Sequence, residues 1–210
     1  MEIAAMRPRL RAAFAAAIAA AVGASLFATA QTRAADDTPT RNDHFTVDTN
    51  LLRPSGYTAD ELNAFVRRQG HASSGLAQDG DAFAKAEKDT GVNAQYLLAH
   101  AIHESGWGTS SIYHEKHNLF GIAAFDSSPG ASAQSFKDDA DCIDYMAHFV
   151  KRDYLTPGGQ YYVSATLKGM NVHYATDKGW ADKIAAIADD MYSPRAVPPP
   201  PPPTVAPPPT

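Results

Sequence analysis

At 210 residues, with a single cysteine and a net charge of −5, the chain has the length for one compact core and no internal disulfide to brace it. The mild negative balance argues against nucleic acid as a partner and against a basic wall-adhesion patch. Charge names no substrate.

Residues 1–30 place Arg7, Arg9 and Arg11 before an alanine-rich apolar run ending in Ala28-Thr29-Ala30, the pattern of a signal peptide cleaved after Ala30 or a few residues later. Such a leader predicts a periplasmic or secreted mature protein with no stable insertion in a membrane. The alternative, a retained spanning helix, is weakened by the low hydrophobicity of alanine. Residues 31–56 are polar with no steady period and read as a flexible lead-in to a domain over 57–192.

Within that domain Thr58 and Glu61 form a capping box ahead of a short helix with Leu62, Phe65 and Val66 on one face. A second helix over 81–90 buries Phe83, Ala84 and Ala86 and stops at Gly91. Asn93 caps a third, whose apolar face (Leu97, Leu98, Ala101, Ile102) delivers Glu104 to the last turn before Gly106-Trp107-Gly108. One or two helical turns follow over 109–116, and Asn118-Leu119-Phe120-Gly121 turns the chain into a second lobe. The aromatic, turn-rich stretch 121–137 predicts a small hairpin or irregular flap that walls a cleft. Helical period returns over 138–152, with Cys142 as a small core residue, and breaks at Pro157-Gly158-Gly159. Thr166 to Gly169 supplies a turn of helix, and Asp177 caps a final helix with Trp180, Ile184, Ile187 and Met191 on one face. The tail over 193–210 is proline-rich; it extends as polyproline II and serves as a spacer or a docking segment. The predicted class is α+β, mostly α-helical.

Three chemistries compete for the polar residues. A metal site built on His100, His103 and Glu104, or on His114, Glu115 and His117, fails on spacing, because H-E-x-x-H needs a histidine where Trp107 or Asn118 stands. No metal and no cofactor are expected. Ser105, Ser110 and Ser111 lack the strand-turn-helix elbow of a serine nucleophile and suit local hydrogen bonds at helix ends. Glycoside hydrolysis fits better, since it needs a protonated carboxyl to reach the leaving oxygen. Glu104, at the negative end of a helix and against an indole, should stay protonated near neutral pH.

The run ESGWGTS followed by HNLFGI resembles the glucosaminidase family of bacterial autolysins and flagellar-rod wall hydrolases, glycoside hydrolase family 73, and the resemblance extends from Gly75 to Met191. It implies a lysozyme-like fold with a cleft between two lobes and a small β or irregular lobe. It also implies cleavage of peptidoglycan glycan strands at the β-1,4 bond after N-acetylglucosamine, with the catalytic glutamate at Glu104. Longer members carry a second acidic residue; here the candidates are Asp126, Asp138, Asp139 and Asp141. Without one, the substrate's N-acetyl group becomes the nucleophile, oriented by Tyr174 or Asp177 of the YATD motif. Trp107, Phe125 and Tyr174 are the expected sugar-stacking residues. A muramidase or lytic transglycosylase is the nearest enzymatic alternative, and a non-catalytic wall-binding module the alternative of another class.

Overall fold

The computed structural model describes residues 38–123 and 132–192; the leader over 1–30, the tail over 193–210, Phe125 and Asp126 lie outside the described residues. Helix α1 (Ala59–Arg68) starts on the expected capping box, with Thr58 accepting from the Glu61 N–H and Glu61 accepting from the Thr58 N–H. It buries Leu62, Phe65 and Val66 and packs on α2 (Gly80–Thr90). The two helix starts approach so closely that a Cβ at Gly80 would strike the Ala59 carbonyl, and Asn63 Oδ1 accepts the Gly80 N–H at 2.8 Å. Gly91, at φ 73°, ends α2 in the left-handed conformation.

Helix α3 (Ala94–Ser105) is capped by Asn93, whose side chain accepts the Tyr96 N–H at 2.8 Å. Every residue from Ala94 to Ile102 is buried, so α3 is a core helix rather than an amphipathic surface one. It lies between α2 and α7 (Trp180–Asp189). Between them in sequence come α4 (Ser111–Lys116), α5 (Asp139–Val150) and α6 (Leu167–Asn171), each started by a side-chain cap from Ser110, Asp138 and Thr166. Helix α5 runs on into a π turn over Lys151–Leu155 and packs along α2. Cys142 is wholly buried within it, and burial pushes its thiol up to about 12, as befits an inert core residue.

No strand occurs among the described residues, and the second lobe is carried there by irregular backbone. Asn118 holds that turn from both ends of its amide. Its Oδ1 accepts the Phe120 and Ile122 N–H groups, while Nδ2 donates to the carbonyls of Ile122 and Gln134 at 3.0 and 2.9 Å. Backbone bonds from Gln134 to Ile122 and from Phe136 to Lys116 close the same stretch.

The lead-in differs from expectation. From Thr40 onward it is part of the packed structure: Phe45 and Leu51 are buried, and the Thr40 hydroxyl donates to Gln95 Oε1 at 2.7 Å. The Asn93 N–H donates to the Leu51 carbonyl, Leu51 N–H donates to Ala165, and Arg41 pairs with Glu61 at 2.9 Å. A segment pinned by isolated side chains and backbone bonds leaves no periodic pattern, which is why its sequence reads as loop.

A second polar cluster forms where α2, α4 and α5 meet. Asp139 accepts the Tyr113 hydroxyl at one oxygen and His117 Nδ1 at the other, both at 2.7 Å. Asp79, at the start of α2, faces this carboxylate with Oδ2 buried and unpartnered. Burial pushes the Asp79 carboxyl up to about 7, aided by the charges of Asp139 and Asp138 and opposed by His117. Among the described residues no helix is long and apolar enough to cross a membrane.

Candidate active site

Residues four apart on a helix share a face, and on α3 that rule stacks Tyr96, His100 and Glu104 in one row. The row ends where the backbone turns away through three successive left-handed residues, Gly106, Trp107 and Gly108. For Trp107, at φ 61°, that conformation is strained, and the surrounding bonds hold it. Ser105 ties the knot: its hydroxyl donates to the Ala101 carbonyl at 2.6 Å and accepts the Gly108 N–H at 2.8 Å. A Cβ at Gly108 would press on the Ser74 hydroxyl, and the left-handed φ of 72° favours glycine there. Ser105 is thus the local helix-end bond expected of it.

Glu104 keeps only 10% of its side chain exposed. Its Oε1 accepts the indole Nε1–H of Trp180 at 2.8 Å and lies 3.5 Å from His100 Nε2. His100 is wholly buried, takes Tyr96 Oη at 3.1 Å on Nδ1, and meets Phe120, Tyr174 and Trp180 edge to face at 5.0 to 5.2 Å. Tyr174 stacks on Trp180 at 4.7 Å and meets Tyr154 edge to face. The result is a carboxyl at the mouth of an aromatic cage.

The electrostatics depart from expectation. Burial pushes the Glu104 carboxyl up, but His100, the Trp180 indole and His103 together outweigh it and hold the group below its ordinary value. The pull from His100 requires a proton on Nε2. At 3.5 Å that contact falls outside hydrogen-bond geometry, so it acts as a directed electrostatic tether rather than a full bond. Burial and the nearby Glu104 charge pull His103 in opposite directions, and burial prevails in lowering it. Burial also raises the Tyr174 phenol well above its ordinary range, with the Glu104 charge adding to it, so Tyr174 serves as a neutral hydroxyl.

The other candidates separate. The indole against Glu104 is that of Trp180; Trp107 instead stacks on His71 at 4.4 Å and tilts against Phe65. Asp177 Oδ1 accepts the Gly179 N–H at 2.8 Å and Oδ2 accepts Lys183 Nζ at 2.6 Å, so it braces the start of α7 from two residues before the N-cap position, which Gly179 holds, and is not the cap expected of it. Asp138 caps α5, Asp139 belongs to the Asp79 cluster, and Asp141 accepts the Lys137 N–H. Trp180 was legible only as a core residue, and His100 only as a member of the rejected metal set. The single sequence signal for either was the four-residue spacing of Tyr96, His100 and Glu104.

Beside the cage, Phe120 and Tyr174 continue into a cleft walled by Tyr145, Phe149, Tyr154 and Ile122, enclosing a cavity of about 40 Å³. A larger open groove of about 360 Å³, lined by Val47, Lys168, Asn171, Lys178 and Asp182, shares no residue with the Glu104 cage. The chemistry, not the volume, marks the site. Among the described residues no three histidine, cysteine or acidic side chains are placed to hold a metal ion.

The fold is a helical one that carries a buried carboxyl at a helix end, with an indole N–H donated to it, an imidazole nitrogen nearby and aromatic walls alongside, an arrangement with the components of general acid chemistry. The chain belongs to the glucosaminidase family described as mannosyl-glycoprotein endo-beta-N-acetylglucosaminidase, whose model matches residues 80–193. It is 37% identical over 138 residues to a Streptococcus pneumoniae protein (strain ATCC BAA-334 / TIGR4) named "Putative endo-beta-N-acetylglucosaminidase", covering 66% of this chain and 21% of that protein. It is 30% identical over 166 residues to the Staphylococcus aureus (strain Mu50 / ATCC 700699) "Bifunctional autolysin", covering 68% of this chain and 13% of that protein. The chain therefore spans about a fifth or less of the length of these relatives. Among solved structures, Staphylococcus aureus Autolysin E in complex with the muropeptide NAM-L-Ala-D-iGlu superposes with a TM-score of 0.58 at 26% identity, over 73% of this chain and 74% of that one. A catalytic mutant of the same autolysin in complex with the disaccharide NAG-NAM superposes with a TM-score of 0.57 at 25% identity, over 71% and 73% of the two chains.

Proposed function

We propose that this protein is a peptidoglycan hydrolase, an endo-β-N-acetylglucosaminidase that cleaves the β-1,4 bond after N-acetylglucosamine with Glu104 as general acid. The observation that carries the reading is the Glu104 carboxyl, buried at the end of α3, held by one indole N–H and walled by aromatic rings. The family membership and the glycan complexes of Autolysin E support the same substrate class.

In the proposed step the glycosidic C1–O bond breaks, the Glu104 proton passes to the departing oxygen, and positive charge develops at C1. The carboxyl is anionic at rest, so it takes up its proton in the glycan complex, where sugar replaces water around it and burial deepens. The N-acetyl oxygen then closes on C1 as internal nucleophile. Water finally attacks C1 and gives a proton back to Glu104, the bond from C1 to the N-acetyl oxygen breaks, and the acetamide is restored. Tyr174, neutral and stacked beside the acid, is suited to orient the N-acetyl amide, whereas both Asp177 oxygens are already engaged. An inverting route would instead need a carboxylate to hold the attacking water, with Asp126 as its candidate. Pyranose faces stack on Tyr145, exposed beside the cage, and on the half-buried Trp107–His71 pair, with Phe125 the remaining stacking residue that the family resemblance implies. The leader over 1–30 supports export to the periplasm or the medium, where the glycan lies.

Digestion of purified peptidoglycan by the mature protein and by Glu104→Gln, with mass analysis of reduced muropeptides, tests the reading. Fragments ending in reduced N-acetylglucosamine from the wild type alone support it. Anhydromuramic ends would identify a lytic transglycosylase, and wall binding by both proteins without release would identify a binding module.

A further inference from the structure

The mechanism above uses Glu104 as one unit, yet its two oxygens are unlike. Trp180 Nε1 donates to Oε1 at 2.8 Å, and His100 Nε2 approaches the same oxygen at 3.5 Å. Nε2 has no other partner and is buried, an unusual state for a ring nitrogen inside a packed core. Its opposite nitrogen, Nδ1, is 3.1 Å from the Tyr96 hydroxyl, which also reaches Met170 Sδ at a weak 3.5 Å. Two tautomers are available to the neutral ring. With the proton on Nδ1, the bare Nε2 lone pair would confront the Glu104 carboxylate in a water-free cage, and both would be unsatisfied. With the proton on Nε2, Tyr96 donates to Nδ1 and the N–H is aimed at Oε1. Of the two neutral forms, only the second turns a donor toward the carboxylate, and a protonated ring would present the same Nε2–H.

We infer that Tyr96 and His100 form a positioning pair for Glu104: the Tyr96 hydroxyl selects the His100 tautomer, and the Nε2–H joins Trp180 in anchoring Oε1, so that Oε2 is the oxygen that carries the catalytic proton. The inference rests on the proposed acid role of Glu104. Anchoring one oxygen fixes the carboxyl plane and presents the other toward the leaving oxygen, the orientation a general acid needs. The anchor also favours the anion. This agrees with the downward hold on Glu104, which comes from His100 and His103 on α3 and from Trp180 on α7. Tyr174, between α6 and α7, and Tyr96 face the same carboxyl as neutral phenols. Asp177 and Lys183 pair with each other beyond His103.

The sign of the test follows. A general acid works while protonated, so turnover falls as pH rises through the Glu104 pKa. Removing a donor that favours the anion leaves burial less opposed, and the alkaline limb moves to higher pH. His100→Phe keeps an aromatic ring in the cage and removes both nitrogens. Its kcat on purified peptidoglycan should drop on the order of 100-fold with KM little changed, and its alkaline limb should rise by roughly one pH unit. His100→Gln, which can again offer an N–H, should recover part of both. Tyr96→Phe removes only the hydroxyl, frees the tautomer and should move the limb the same way by less. An unmoved limb in His100→Phe and Tyr96→Phe, whatever the loss in kcat, overturns the inference. Should His100→Phe not fold, judged by thermal melting, the limb of Tyr96→Phe decides alone. Glu104→Gln separates the two levels: full turnover by that variant overturns the acid role and the pair with it, while a dead Glu104→Gln beside unmoved limbs overturns the pair only.

Discussion

Two carboxyls in this molecule sit at helix ends with little exposure, and their environments treat them in opposite ways. Glu104 lies in the last turn of α3, at the negative end of the dipole, which should push its proton affinity up; Asp79 lies at the start of α2, at the positive end, which should pull it down. Both are reversed. Glu104 is held below its ordinary value by His100, Trp180 and His103 against its own burial, while Asp79 is pushed up to about 7 by burial and the carboxylates opposite it. A helix dipole contributes about 0.3–1 kcal/mol near its end, and a single charge-assisted hydrogen bond to a buried group outweighs it. Burial and the nearest donors and charges decide: for Glu104 they are His100 and His103 of α3 itself and Trp180 of α7, and for Asp79 they are Asp138 and Asp139 at the start of α5.

The largest break in the comparison is Glu104→Gln, which leaves the cage its size and removes the ionisable group. Turnover of peptidoglycan should fall on the order of 1,000-fold with glycan binding kept, measured by muropeptide release and by sedimentation with the wall. Trp180→Phe is the next. It keeps a ring stacked near Tyr174 and deletes the indole N–H to Oε1, so kcat should fall about 10- to 100-fold and the alkaline limb of the rate profile should rise. A limb that stays in place would show that the indole packs without holding the charge.

Asp79→Asn moves stability rather than turnover. The folded Asp79 carboxyl binds its proton more tightly than the unfolded one, from an ordinary 3.8 to about 7. Its stabilising contribution is therefore complete below the ordinary value and lost as pH rises through about 7. Wild-type melting temperature should decline across that window, and the asparagine variant, which cannot ionise, should show a flatter profile. Glu104 tilts stability the other way, since a depressed carboxyl loses its contribution as pH falls. The smallest effect belongs to Asp177→Asn. Its partner Lys183 is on the surface, and Asp177 does not touch Glu104, so turnover should stay within about threefold. A collapse of activity there would return Asp177 to the catalytic machinery.

Local signals were legible because they are local. Thr58 and Asn93 each cap a helix through a bond to a residue three positions on, as their spacing predicts, whereas the cap expected at Asp177 falls two residues short of the N-cap position and Ser110, Asp138 and Thr166 emerge as caps only in the structure. Asn118 was legible as the holder of the second-lobe turn for the same reason. Glu104 was legible through its motif and its place at a helix end. Trp180 read only as a core residue of the last helix, because the bond it makes to Glu104 spans 76 positions. His100 read as structural, although the four-residue spacing had already put it on the face of Glu104.

By itself the sequence determined the helical periods, the caps at Thr58 and Asn93, the stops at Gly91 and Gly106, the turn at Asn118 and the glutamate that family resemblance singles out, all consequences of periodicity, of contacts a few residues long and of motif. Only the tertiary structure decided which indole meets the acid, that the segment from Thr40 to Ser55 packs into the core, and that Asp79 and Glu104 carry opposite shifts. Burial and charge act through space, and chain neighbours do not reveal which groups the fold will bring within a few ångströms.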